Sequence, residues 1–153
     1  MTLSLKGRAL KYLANREHSR VELLRKLAPH AESQEEVEAA LDDLEARGLL
    51  SAERFAESML HRKASRFGAA RIQAELAQHR LPSDIAQAAL RSLKDTELAR
   101  AHAVWVRRYG EVASDAQEKA RQMRFLTARG FAADVVRRVV KGEGGAPDEA
   151  LPD

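Results

Sequence analysis

Apolar residues recur along this chain at an interval of about fifty, and that recurrence restricts the fold more than any other feature. Leu5, Phe55 and Trp105 stand fifty apart, as do Ala9, Met59 and Tyr109. Leu27, Leu76 and Leu126 follow at forty-nine and fifty, and Val37, Ile85 and Val135 at forty-eight and fifty. Self-similarity at such a period marks a tandem array of one small unit. A unit of this length lies near the lower limit for a core that stands alone, so neighbouring units are expected to lean on one another. The period predicts an elongated, curved array of three repeats.

Inside each repeat the apolar spacing is helical. Leu5, Ala9, Tyr12 and Leu13 fall at i, i+4, i+7 and i+8, one stripe of a first helix. Ser19 and Glu22 have the spacing of a capping box, in which the serine oxygen accepts a free helix N–H and the glutamate reaches back. That opens a helix with Leu23, Leu24 and Leu27 inward, stopped near Pro29. Ser33 and Glu36 repeat the device before Val37, Ala40, Leu41 and Leu44, and Gly48 suits the left-handed position that ends a helix. A second round runs from Ser51 through Phe55, Ala56 and Met59, then Ala69, Ile72 and Leu76. Pro82 fits the first position of its third helix, where the missing N–H costs nothing, with Ile85, Ala89 and Leu93 inward.

A last round is expected from near Asp95, with Leu98, Ala101, Trp105 and Tyr109 on one stripe and Gly110 closing it. Ser114 and Gln117 suggest another capping box ahead of Ala120, Met123 and Leu126, and Gly130 breaks that helix. Val135, Val136, Val139 and Val140 are β-prone alone, yet their spacing around Arg137 and Arg138 favours a final helix. The sum is nine helices in an all-α chain, with three-helix repeats over 4–50, 51–94 and 95–142. Residues 143–153 form an acidic, breaker-rich tail expected to be disordered.

Charge is distributed unevenly. Residues 1–30 carry +5, 31–53 carry −7, 54–94 carry +5, 95–118 carry −2 and 119–142 carry +6, so the small net charge of +3 hides three basic zones. Such zones suit an anionic partner, or lie against the acidic ones as a solvated surface. Aromatics are only 5% of the chain, so the cores must be closed mainly by Leu, Val, Ile and Ala. There is no cysteine, which excludes disulfides and thiolate metal sites. No run approaches a membrane span and the N-terminus lacks a signal-peptide core, so a cytoplasmic protein without membrane contact is expected.

The residues from Ala52 to Lys63 (Ala-Glu-Arg-Phe-Ala-Glu-Ser-Met-Leu-His-Arg-Lys), followed by Arg66-Phe67-Gly68-Ala69-Ala70-Arg71-Ile72 and Leu76, resemble the signature stretch of the RecX family. Ser19-Arg20-Val21-Glu22-Leu23-Leu24-Arg25-Lys26-Leu27 is similar to that family's first-repeat second helix, and Phe125-Leu126-Thr127-Ala128-Arg129-Gly130-Phe131 to its last-repeat turn. The resemblance covers roughly residues 4 to 142. Two positions depart from the pattern. Ala52 stands where Asp is usual, leaving the cap to Ser51, and His79-Arg80-Leu81 replaces Lys-Gly-Ile, so the turn before Pro82 lacks its glycine.

The resemblance implies three winged-helix-like repeats without wings. It also implies a function: binding the RecA recombinase filament on single-stranded DNA and inhibiting its ATP hydrolysis, strand exchange and co-protease activity, hence a role in recombination, DNA repair and the SOS response. Some members also bind DNA, single- or double-stranded. A chain of basic helical units acting as a monomer can touch several protomers at once and add weak contacts together.

Nothing in the sequence calls for catalysis. His18, His30, His61, His79 and His102 are scattered without metal-ligand spacing, Gly-Glu-Gly-Gly at 142–145 has no following Lys, and no serine sits in a nucleophile elbow. No cofactor or metal is expected. Binding is expected at Arg62, Lys63, Arg66 and Arg71 in the middle repeat, where guanidinium groups grip carboxylate or phosphate. A second set, Lys119, Arg121, Arg124, Arg129, Arg137 and Arg138, runs along the last two helices, with Arg137 and Arg138 where a helix-turn-helix reader would contact bases. Trp105, Tyr109 and Phe55 read as core residues. The alternative is a sequence-independent DNA-binding protein of helix-turn-helix-like units.

Overall fold

The computed structural model describes residues 2–145, whose regular elements are all helices, with no strand among them. In order come α1 (Leu5–Asn15), α2 (Arg20–Leu27), a 3-10 turn (Ala28–His30), α3 (Gln34–Ala46), α4 (Ala52–Lys63), α5 (Ala69–Ala77), α6 (Ser83–Arg108), α7 (Ala116–Ala128) and α8 (Ala133–Val140). The chain forms two compact units. One takes the residues up to Ser58 with Leu76–Ala86, the other Met59–Glu75 and the residues from Gln87 onward. Most of the expected tail, from residue 146 on, lies outside the described residues. Its start runs close to α6: a Cβ on Gly144 would meet Leu98 at 2.9 Å.

The first unit closes over Leu23, Leu27, Val37, Leu41, Leu44 and Leu50, each 3% exposed or less. Its helices begin where the sequence places caps. Ser19 Oγ accepts the Glu22 N–H at 3.2 Å while Glu22 Oε1 accepts the Ser19 N–H at 3.0 Å, both halves of the capping box. Ser33 accepts the Glu36 N–H at 3.2 Å. Ser51 accepts the Arg54 N–H at 3.1 Å, supplying the cap that Ala52 does not. Gly48 takes φ +74, and the N–H groups of Leu49 and Leu50 return to the Leu44 carbonyl to finish α3. Arg80 holds φ +48, the single positive value outside glycine among the described residues. A side chain in that region costs about 1–2 kcal/mol, so the missing glycine is met by strain.

The structure departs from expectation at α6 and at the cap of α7. Where the sequence suggests one helix ending near Leu93 and another starting near Asp95, α6 runs unbroken for 26 residues. Thr96 does not cap a new helix. Its hydroxyl donates back to the Ser92 carbonyl at 3.2 Å and lies 3.4 Å from that of Leu93, satisfied inside the helix. No Gly or Pro interrupts the segment, and Ala89, Leu93, Glu97, Ala101 and Trp105 keep one buried stripe at i, i+4 spacing. The single carboxylate in that stripe serves a different helix. Glu97 Oε1 accepts the Ala69 N–H at 2.6 Å and so caps α5 from α6. The cap of α7 is Asp115, whose Oδ1 accepts the Glu118 N–H at 2.8 Å, rather than the neighbouring Ser114. An ionised carboxylate is the stronger acceptor at a helix N-terminus.

Trp105, Leu126, Phe131, Val136, Val139 and Val140 form the core of this unit. The valine run is helical, as its spacing predicts. Trp105 Nε1 donates to Gln122 Oε1 at 2.8 Å, so the buried indole loses no hydrogen bond. Trp105 and Phe55 are both core residues, at 4% and 1% exposure.

Candidate functional site

The turn between α4 and α5 carries Phe67, and the second unit grips its backbone from several sides. The Arg100 guanidinium donates to the carbonyls of Ala64 (3.0 Å), Phe67 (2.7 Å) and Leu93 (2.6 Å). Burial pushes the pKa of Arg100 down, with Glu97 acting in the opposite sense. Arg107 donates to the Ser65 carbonyl at 2.7 Å. The Gly68 N–H donates to the Arg129 carbonyl at 2.8 Å, bringing the turn against the end of α7. Two glycines make that approach possible. A Cβ on Gly68 would lie 2.3 Å from the Gly130 carbonyl oxygen, and one on Gly130 would lie 2.5 Å from Arg71 Cβ.

Around the turn so fixed, cations converge on two rings. Arg71 lies 4.0 Å from the Phe67 centroid, Arg66 5.3 Å, Lys63 5.7 Å and Arg129 5.9 Å. Arg129 also lies 4.7 Å from the Phe125 centroid, with Arg108 at 5.6 Å. Arg66, Arg107, Arg108 and Arg129 then line a cleft of about 520 Å³ with Val104 and Phe125, and no acidic side chain among the described residues lines it. A cation over an aromatic face gains about 0.5–1 kcal/mol at an exposed site. That is enough to orient a guanidinium, and too little to neutralise it. Among the described residues, Lys63 alone of the group pairs with a carboxylate, Glu75 at 3.5 Å. The site therefore gathers planar donor groups of the kind that grip carboxylate or phosphate.

Of the residues that sequence reasoning singled out, Lys63, Arg66, Arg71 and Arg129 come together here. Arg62 is exposed one residue before Lys63 on α4. Lys119, Arg121 and Arg124 are exposed on α7, and Arg137 and Arg138 on α8. Arg121 is tied to Glu118 at 2.8 Å and Arg138 faces Glu143 at 3.9 Å. Sequence reasoning missed Arg107, Arg108, Phe67 and Phe125. The two arginines lie within 95–118, a segment whose net charge is negative, so counting by blocks conceals them.

The first unit spends its charge differently. Arg16 meets Glu22 at 2.6 Å, Arg20 meets Asp42 at 2.9 Å and Glu45 at 3.1 Å, and Arg54 meets Glu17 at 2.9 Å. Burial works to raise the Glu22 carboxyl, but the hydrogen bonds from Arg16 and the Ser19 N–H, with the nearby positive charge, bring it down to about 2. His18 is 2% exposed. Its Nδ1 lies 3.0 Å from the Arg16 carbonyl and its Nε2 3.1 Å from Lys26 Nζ. The ammonium can only donate, so Nε2 accepts and Nδ1 carries the proton, while burial lowers the ring's pKa. Among the described residues no group of three or more His, Cys, Asp or Glu is placed to hold a metal. No described helix is long and apolar enough to cross a membrane.

Comparison with known proteins agrees along the whole described chain. Family models described as the first, second and third three-helix domains of RecX match residues 6–44, 53–90 and 95–140. The regulatory protein RecX of Leptothrix cholodnii is 59% identical over 91% of this chain and 88% of its own length. That of Ralstonia nicotianae is 54% identical over 96% and 92%. In structure, the chain is similar to the crystal structure of RecX from Lactobacillus salivarius, with a TM-score of 0.76 at 19% identity over 90% of this chain and 93% of that one. Three domain matches in order, and relatives more than half identical over nine-tenths of the length, place this chain in the RecX family of regulatory proteins, to which it belongs.

Proposed function

We propose that this chain is a non-catalytic regulator that binds the RecA recombinase filament on single-stranded DNA and inhibits it. It acts as a monomer in the cytoplasm, and so limits recombination, DNA repair and the SOS response. The observation that carries the reading is the gathering of Lys63, Arg66, Arg71, Arg108 and Arg129 around Phe67 and Phe125. Like charges held this close raise the energy of the free protein, and an anionic surface that meets them relieves it. A filament on DNA offers carboxylates and phosphates in a helical repeat, and a chain of several units can engage more than one protomer at once. The expected repeats over 4–50, 51–94 and 95–142 make up that chain of units.

The same cleft fits a phosphodiester, which favours a second reading: sequence-independent binding to DNA, with recombinase contact secondary. Titration into a RecA assay of DNA-dependent ATP hydrolysis at fixed DNA separates the two. The first reading predicts inhibition at substoichiometric amounts that excess single-stranded DNA does not relieve. Inhibition that appears only as naked DNA saturates, and disappears with excess DNA, would establish the second instead.

A further inference from the structure

The first unit carries a groove that its own core does not fill. Val21, Leu24, Leu81 and Ile85 are each only half-buried and line a cleft of about 680 Å³. Val21 and Leu24 continue into a second cleft of about 550 Å³, on Val37. Arg80 lines both clefts and is exposed where they meet. It is also the residue with φ +48, at the position where the sequence pattern this chain resembles has glycine. Strain of this kind persists where surrounding structure holds it, and it gathers at binding sites. A glycine would remove the strain and the guanidinium together.

Charge on the rim selects the occupant. Arg20 and Arg54 line the first cleft, but Asp42, Glu45 and Glu17 already neutralise them. Arg80, and Arg25 beside the second cleft, make no ion pair among the described residues. Aliphatic surface with unneutralised guanidinium beside it complements a peptide bearing apolar and acidic side chains. It complements nucleic acid poorly. Aliphatic side chains offer bases no aromatic face like those of Phe67 and Phe125 in the other unit, and few cations remain for the phosphates. Among the described residues, the one acid on these clefts without a basic partner is Glu32, on the second.

We propose that this groove docks a short segment of a protein partner, which lays aliphatic side chains on Val21, Leu24, Leu81 and Ile85 and a carboxylate against Arg80. The groove shares no residue with the Phe67 cluster, and the proposal does not depend on which anion that cluster meets.

The test is a random-peptide phage library panned on the full chain, followed by fluorescence anisotropy of a selected, labelled peptide on wild type and Arg80→Gly. Selection should enrich Leu, Ile or Val next to Asp or Glu. Arg80→Gly should bind the peptide at least tenfold more weakly while its Tm rises by about 2 °C as the left-handed strain is lost. A single-stranded oligodeoxynucleotide should not compete. Failure to enrich such peptides, equal binding by the variant, or a lower Tm for it would each overturn the proposal. Displacement of the peptide by the oligonucleotide would assign Arg80 to a phosphate contact instead.

Discussion

In the first unit Arg16, Arg20 and Arg54 each meet a carboxylate within 3.1 Å, whereas in the second Arg66, Arg71, Arg108 and Arg129 lie over phenylalanine rings. Ion pairing there holds α2 and α3 in place. Arg20 joins them, and although burial works to lower its pKa, the acceptors Glu45 and Asp42 raise it. Ring contact here leaves these four guanidinium groups without a carboxylate partner among the described residues. A third use appears in Arg100, whose charge is directed at backbone carbonyls and whose role is to hold the turn that bears Phe67. The same side chain thus serves as tie, as display and as clamp. Counting arginines says nothing about which until partners are known.

The largest effect expected on this contrast comes from the glycine contact. Gly68→Ala forces a Cβ onto the Gly130 backbone and should destabilise the protein by about 3 kcal/mol, measured by urea unfolding. A cost below about 1 kcal/mol would show that the turn is not pinned to α7, and the display would lose its mount.

Acid separates the units next. Glu22 titrates at about 2 when folded, against an ordinary value of 4.5. Its contribution is therefore complete above that ordinary value and is lost as the pH falls through the folded one. With solvent screening allowed for, it amounts to about 2 kcal/mol near neutrality. His18 has the same sign: its pKa is lowered from 6.5, so its stabilisation is full above that value and declines below it. Both groups lie in the first unit. Between pH 4.5 and 2, helix content by circular dichroism should fall before the emission of Trp105, the sole tryptophan, changes. Glu22→Gln should flatten the pH dependence; coincident transitions in wild type would erase the distinction.

The smallest effect belongs to Arg121. Its exposed pair with Glu118 is three residues away on one helix, and Arg121→Ala should shift stability by less than about 0.5 kcal/mol. A larger loss would mean that ordinary surface pairs hold the second unit as well.

Caps, stripes and glycine breaks are readable because each depends on residues within a few positions of one another. Ser19 with Glu22, Gly48 and the helical valines all follow local rules. Even so, Thr96 bonding backward makes one helix out of an apparent boundary, and Asp115 displaces Ser114, since local rules rank competitors poorly. The cluster itself is only half legible. Lys63, Arg66, Arg71 and Arg129 belong to basic stretches, but the rings that gather them do not stand out, and Arg129 meets Phe67 across sixty-two positions of sequence. The Gly68–Gly130 contact that joins these segments has no signature in either neighbourhood.

The most direct measurement is the affinity of the labelled chain for preformed RecA filaments on single-stranded DNA, comparing wild type with Arg66→Glu combined with Arg71→Glu. The prediction is a loss of tenfold or more, about 1.4 kcal/mol, with Tm shifted by only a few degrees because neither guanidinium holds the backbone. Equal affinity in the double variant would contradict the assignment of this cluster as the face that meets the filament.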